Sequence, residues 1–307
     1  MKVFSGNANR GLADKVAAYL QVPLGAMTVS RFPDGEINVV IEEDIRGSDC
    51  FVIQPTCHPV NENLMELLVT IDAFKRASAK RVTAVIPYYG YARQDRKHEG
   101  RVPITAKLVA NLLVSAGVDR ILAVDLHSAQ IQGFFDIPVD HLYAAPILIR
   151  HIRDKKLDNL CVVAPDAGSL KMSNAFARRL NAGFAVVDKR RTRDGQVEVS
   201  TVVGDVRGKH VVFVDDMIST GTSLLSAYRL VREREPASIN ILVTHPVFCG
   251  NALANLAQIE AQEIIVTDSI PLAGKHLDNL VVLTLSELLG EAIRRIHNNE
   301  SISKLFI

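Results

Sequence analysis

Short apolar runs recur along this chain between stretches in which apolar positions return every three or four residues. The runs read as strands buried on both faces, and the stretches as amphipathic helices. Val3–Phe4 begins as a strand, and SGNANRG turns into a helix through Leu12, Val16, Ala17 and Leu20. INVVIEEDI reads as a strand, followed by Arg46-Gly47 and a second strand over Cys50–Gln54. Asn63–Ala77 is a helix with Leu64, Leu67, Leu68, Ile71 and Phe74 on one side. RVTAVIPYY is a buried strand, Ile104–Ala116 a helix stopped by Gly117, and ILAVDLH a strand closing the first half. The second half starts near Ala145, with a helix over Ile147–Ile152, strand LCVVAPD, helix Ser169–Leu180 and strand FAVVDK. After a short strand at Val211–Val214, a helix carries Leu224, Leu225, Ala227, Tyr228, Leu230 and Val231. INILVTH, a helix at Asn251–Ala257, EIIVTD, NLVVLT, a helix over Ser286–Asn298 and the tail SISKLFI complete the pattern.

Such alternation predicts an α/β protein with mostly parallel sheets flanked by helices. A buried strand ending in DLHS at Asp125 is echoed by one ending in PDAG at Asp166, which suggests two similar domains. The expected division is 1–144, 145–290, and a last helix and tail, 291–307, packed back on the N-terminal domain. Asp125, His127, Asp166 and Asp215 all fall at the carboxyl ends of strands, where ligands of such sheets bind.

Composition narrows the class. The 307 residues suffice for two cores, and a net charge of +1 gives no electrostatic case for nucleic acid or an anionic membrane. No apolar run is long enough to span a bilayer, and the N-terminus lacks a signal-peptide core. Cys50, Cys57, Cys161 and Cys249 have no zinc-like spacing, and a reduced, cytoplasmic setting is expected.

The most chemical stretch is VVFVDDMISTGTSLLSAYRLV, Val211–Val231. Asp215 and Asp216 are expected where the strand ends, before Ser219, Thr220, Gly221, Thr222 and Ser223. Backbone N–H groups, hydroxyls and a helix N-terminus suit a phosphate, and two carboxylates suit sugar hydroxyls. A sugar phosphate satisfies both. The plainer alternative is a loop in which Ser219 or Thr220 only caps the helix. The stretch resembles the phosphoribosyl-pyrophosphate loop of the type I phosphoribosyltransferase superfamily.

DLHSAQIQGFFDIPVD, Asp125–Asp140, then narrows the choice, with FPDGE at Phe32–Glu36, NENLMELL, YARQDRK, PITAKLVANLL and PDAG. Together these strings closely resemble the ribose-phosphate pyrophosphokinase family over nearly the whole chain. That resemblance implies transfer of the β,γ-diphosphoryl group of ATP to the 1-hydroxyl of ribose 5-phosphate, with Mg2+ as cofactor. It implies a homo-oligomer, a hexamer built from dimers, with a site completed across a subunit boundary. His127 and Asp166 become the metal-contacting pair, and Phe32, Asp34, Glu36, Arg93, Gln94 and His127 the ATP contacts. Lys189 and Arg191, in the basic run DKRRTRDG, become catalytic cations on a closing arm, sharing one face if the segment is extended. Asp215, Asp216, Ser219, Thr220, Gly221, Thr222, Ser223 and Arg191 become the ribose-5-phosphate site. Asp95 is expected to be a local ion-pair partner.

Two residues depart from the commonest family pattern: Ser219 stands where aspartate is usual and Thr222 where glycine is. Threonine disfavours positive φ, so the turn must be built differently. The resemblance also places a regulatory phosphate at Arg46, Ser78, Ser301, Ser303 and Phe306. Asp44 replaces a common phosphate-contacting serine, and His141 a common asparagine. A carboxylate repels phosphate, so weakened or absent phosphate activation is expected. Two rivals are weighed against the enzyme: a non-catalytic regulatory relative, and a phosphoribosyltransferase acting on a base. The latter leaves FPDGE and YARQD unexplained.

Overall fold

The structure, a computed structural model, describes residues 1–191 and 197–306, with 189–191, 197–200 and 306 described by backbone alone. In chain order its elements are β1 (Lys2–Ser5), α1 (Arg10–Leu20), β2 (Met27–Arg31), β3 (Ile37–Ile41), β4 (Asp49–Ile53), α2 (Val60–Arg76), β5 (Arg81–Ile86), α3 (Thr105–Ala116), β6 (Arg120–Val124) and β7 (Val139–Leu142). There follow α4 (Ala145–Asp154), β8 (Leu160–Ala164), α5 (Leu170–Leu180), β9 (Gly183–Arg191), β10 (Val197–Val203), β11 (His210–Ile218) and α6 (Thr222–Arg232). The last are β12 (Ser238–Pro246), α7 (Ala252–Leu256), β13 (Glu263–Thr267), β14 (Leu280–Leu283) and α8 (Ser286–His297). The backbone divides into two compact units, one of residues 1–143, 269–271 and Thr284 onward, the other of residues 144–268 and 272–283.

The first unit is a five-stranded sheet in the order β1-β4-β5-β6-β7, every pair parallel. Alternate strand residues Phe4, Cys50, Val52, Val82, Ala84, Ile86, Ile121 and Ala123 join Leu67, Ile71, Phe74, Val109 and Leu113 of α2 and α3 in one core. Val3, Phe51, Ile53, Val85, Leu122 and Val124 are equally buried and point to the opposite face. Burial on both faces is why these strands read as continuous apolar runs. α1 and α8 pack together, with Gly290 so close to Tyr19 that a Cβ there would lie 2.3 Å from its ring.

The second unit has seven strands in the order β10-β9-β8-β11-β12-β13-β14. Only β10, at the edge, runs antiparallel to its neighbour. Val211 and Phe213 share a core with Leu224, Leu225, Tyr228 and Val231 of α6.

Three strands were not anticipated from the residue pattern. β2 pairs antiparallel with β3 in a separate hairpin, and its residues are mostly exposed, so MTVSR carries little apolar signal. β7 is the short, half-polar VDHL, and β10 follows the basic run. α2 also begins at Val60, three residues before the expected start, directly after Pro59. β11 is the consequential correction. Asp215 and Asp216 lie inside the strand rather than at its end, because pairing with the long β12 carries β11 on through Met217↔His245 and Ile218↔Pro246.

Candidate functional site

The second unit builds its site on β11. Val211–Val214 are at most 1% exposed and anchor the strand in the core. Asp216 N donates to Asp215 Oδ1 at 3.0 Å. Burial, then the charges of Asp216 and Asp166, push the Asp215 carboxyl well above the ordinary carboxylate range. Asp166 lies just past β8, where its Oδ1 accepts from Gly168 N at 2.9 Å and Ser169 N at 3.2 Å. One oxygen therefore fixes the turn into α5, and Oδ2 remains for a cation.

The loop after β11 is held from the side. Phe248 N donates to Ile218 O at 2.9 Å and Cys249 N to Ser219 O at 3.0 Å. Asn255, on α7, donates to Thr220 O at 2.8 Å. Gly221 is the N-cap of α6 with φ 73°, and no side chain caps the helix. The capping role considered for Ser219 or Thr220 is thus not what these hydroxyls do. Ser219 Oγ lies 3.2 Å from Cys249 Sγ, and Thr220 Oγ1 lies 3.1 Å from Thr222 Oγ1. Thr222 is already helical, so Gly221 alone takes the left-handed conformation and the missing glycine at 222 costs no strain. Ser223 follows in the first turn of α6.

Lys189 and Arg191 end β9, whose extended backbone pairs Lys189 with Ser200 and Arg191 with Val197. Their side chains, and residues 192–196, which hold the rest of the basic run, lie outside the described residues.

In the first unit, Phe32, Asp34 and Glu36 form the exposed turn joining β2 to β3. Phe32 N donates to Glu36 O at 2.8 Å, Glu36 N donates to Asp34 Oδ1 at 3.1 Å, and Gly35 adopts φ 94°. Phe32 is 49% exposed, an apolar ring offered outward. The hairpin is braced by an Arg31–Glu62 ion pair and by Asn7 Nδ2, which donates to Val29 O at 3.3 Å. Asn7 N in turn donates to the buried Glu66 carboxylate at 2.6 Å. Arg93 is exposed, and the Gln94 side chain accepts from Thr105 at the start of α3. Asp95, expected to be a local ion-pair partner, has no ion pair among the described residues. His127 is exposed two residues beyond buried Asp125, whose φ of 37° is left-handed.

Arg46 and Ser78 occupy adjoining turns, Gly47 N donating to Ser78 O at 2.9 Å, and Asp44 Oδ1 accepts from Arg46 N at 2.9 Å. Each turn leads directly into a strand that holds α8. Asp49 accepts from Arg81 Nε and His297 Nδ1, both at 2.7 Å, and Arg81 also donates to Ile296 O at 3.0 Å. In the tail beyond α8, Ser301 Oγ donates to Ser303 Oγ at 3.1 Å; the Phe306 side chain lies outside the described residues.

Asn255, Cys249 and His141 are the neighbours that sequence reasoning did not give a place in the site. Asn255 meets Thr220, Cys249 meets Ser219 and His141 meets Leu126 across 35, 30 and 15 residues, and no local pattern signals such contacts. His141 was expected at a phosphate site, yet it is buried and accepts from Leu126 N.

No group of three or more His, Cys, Asp or Glu among the described residues is arranged to hold a metal ion. A cation bound mainly by phosphate oxygens and water needs no such cage.

Residues 1–117 match the model of the N-terminal domain of ribose phosphate pyrophosphokinase, and residues 195–307 match that of the phosphoribosyl synthetase-associated domain. A ribose-phosphate pyrophosphokinase of Rhodopirellula baltica is 54% identical over the whole chain and 98% of its own length. One of Neisseria meningitidis is 50% identical, again over the whole chain and over 94% of that relative. The crystal structure of phosphoribosylpyrophosphate synthetase from Mycobacterium smegmatis superposes with a TM-score of 0.93 at 44% identity, covering 97% of this chain and 99% of that one. Likeness at this level, over both units and their loops, leaves one assignment: the chain belongs to the ribose-phosphate pyrophosphokinase family.

Proposed function

We propose that the chain is a working ribose-phosphate diphosphokinase that makes 5-phosphoribosyl 1-diphosphate and AMP from ATP and ribose 5-phosphate. The observation that carries this reading is the uncapped N-terminus of α6, wrapped by Ser219–Ser223 and set beside Asp215 and Asp216. That juxtaposition supplies donors for a 5-phosphate and acceptors for the ribose 2- and 3-hydroxyls. With the sugar so held, the 1-hydroxyl oxygen forms a bond to the β-phosphorus. The bond from that phosphorus to the α,β-bridging oxygen breaks, AMP keeps the oxygen, and the hydroxyl proton is released. Such a transfer asks for positioning and charge neutralisation more than covalent chemistry.

Lys189 and Arg191 supply cations for the diphosphoryl group, a point charge and a planar fork. Phe32, Asp34, Glu36, Arg93 and Gln94 orient the nucleotide, with Phe32 against the base. Magnesium fits the donor set: Asp166 has an oxygen to give, and burial, then the charges of Asp216 and Asp166, raise the Asp215 carboxyl, an effect a cation would oppose. Asp166 and His127 would hold it, His127 directly or through a bound water or phosphate. Bound there, it would neutralise phosphate charge.

The outward-facing Phe32 turn supports a homo-oligomer, a hexamer of dimers, in which this turn serves a neighbouring subunit. No helix among the described residues is long and apolar enough to cross a membrane. None of the four cysteines is in a disulfide, which supports a reducing cytoplasmic setting.

The test is AMP release from ATP and magnesium, with and without ribose 5-phosphate, in wild type and Lys189→Ala. Sugar-dependent AMP should fall by roughly two to three orders of magnitude in the variant. Absence of sugar-dependent AMP from folded, assembled wild type would sink the reading and leave a non-catalytic relative.

A further inference from the structure

We propose that His141 is a positioning residue for His127, fastening the chain on both sides of it; this rests on the role given to His127 above. The turn out of β6 is strained, with Asp125 at φ 37° in a region that non-glycine residues avoid unless their surroundings impose it. Two hydrogen bonds from β7 impose it. Asp125 N donates to Leu142 O at 2.9 Å, and Leu126 N donates to His141 Nε2 at 2.9 Å. The second involves the residue immediately before His127. On the far side, the Gln132 side-chain amide lies 3.2 Å from His141 Nδ1, on the 3-10 turn at Ala129–Phe134. One imidazole therefore touches the segments that enter and leave the His127 loop.

The ring is itself fixed. It is 5% exposed and packs against the Tyr143 ring, tilted by 40° with centroids 4.5 Å apart. The tautomer follows from the partners. A backbone N–H cannot be turned round, so Nε2 keeps its lone pair and Nδ1 carries the proton. Gln132 Nε2 also donates to Ala129 O at 3.1 Å, so turning its oxygen toward that proton would give up this bond, and the contact with Nδ1 is one of packing. A phosphate contact at this position is excluded by the same geometry, because the ring is spent inside the fold. The position thus acts on the His127 loop, not on a regulatory anion.

Three measurements test this on the assembled enzyme. His141→Leu keeps the bulk but leaves Leu126 N–H unpaired. It should raise KM for magnesium-ATP about tenfold while KM for ribose 5-phosphate stays within about twofold. His141→Gln, whose amide oxygen reaches the place of Nε2, should restore magnesium-ATP KM to within about threefold of wild type. Without any substrate, amide exchange of the 125–132 segment should quicken about tenfold in His141→Leu and not in His141→Gln. In wild type labelled with 15N-histidine, His141 should show an unprotonated Nε2. That spectrum decides the matter even if His141→Leu does not fold. A protonated Nε2, or a folded His141→Leu with unchanged exchange and magnesium-ATP KM, overturns the proposal. Wild type without sugar-dependent AMP would remove the role assigned to His127 and leave the exchange and tautomer results standing.

Discussion

Asp215 is retained at a cost to folding. Its carboxyl is pushed well up by burial, then by Asp216 and Asp166. Between the unfolded carboxylate range and that raised value, the folded chain holds a proton that the unfolded chain has released. Stability therefore declines as pH rises through this window. Asp215→Asn should melt higher than wild type at pH 8 without ligands, by roughly 2–4 °C if about 1 kcal/mol is recovered. The difference should vanish near pH 4. The same variant should raise KM for ribose 5-phosphate about tenfold or more, through loss of a charged acceptor. Thermal melts against pH and steady-state kinetics check both halves. At this scale the sequence was informative about identity and silent about neighbours. The aspartates and the hydroxyl run were legible because they are contiguous. Their place inside β11 was not, because it depends on how far β12 extends.

Two elements hold the working parts in place. α7 is only five residues long, yet its Asn255 holds Thr220 O, and a Cβ added at Gly221 would lie 3.5 Å from that of Asn255. Asn255→Ala frees the loop without touching the carboxylates. It should raise KM for ribose 5-phosphate about five- to tenfold with kcat within about twofold, read from steady-state kinetics. α8 is held by the Asp49, Arg81 and His297 cluster. Burial pushes the Asp49 carboxyl up, but hydrogen bonds from Arg81 and His297 outweigh it and leave the group below its ordinary value. Its contribution is present above the unfolded carboxylate pKa near 4 and is lost as pH falls through the lowered folded value. Asp49→Asn should lower stability by about 3 kcal/mol at pH 7, breaking a largely buried pair, and by less in acid. Denaturant unfolding at two pH values measures this. Helices and buried strands were readable because their periods reflect burial. β2, β7 and β10 were not, since exposed or half-polar strands owe their existence to partners rather than to their own pattern.

Across the whole molecule, the alternation of strands and helices was enough to give the parallel α/β architecture, whereas the return of residues from Thr284 to the first unit depends on contacts spanning most of the chain. Regulation belongs to this scale. The Asp44 carboxylate already accepts from Arg46 N, in the turn adjoining Ser78. Inorganic phosphate at constant ionic strength should therefore give no saturable activation of wild type, and Asp44→Ser should introduce or strengthen it. Initial rates against phosphate concentration decide the point.

The pairing of α1 with α8 sets an order for biosynthesis. The helix that covers Tyr19 is made some 270 residues after it. At typical ribosomal speeds of about 5–20 residues per second, the wait is on the order of tens of seconds. Throughout that interval the nascent first unit presents the uncovered side of α1, while the second unit is already able to close around its own sheet. An arrest before Thr284 would therefore leave one unit finished and the other waiting for its last helix.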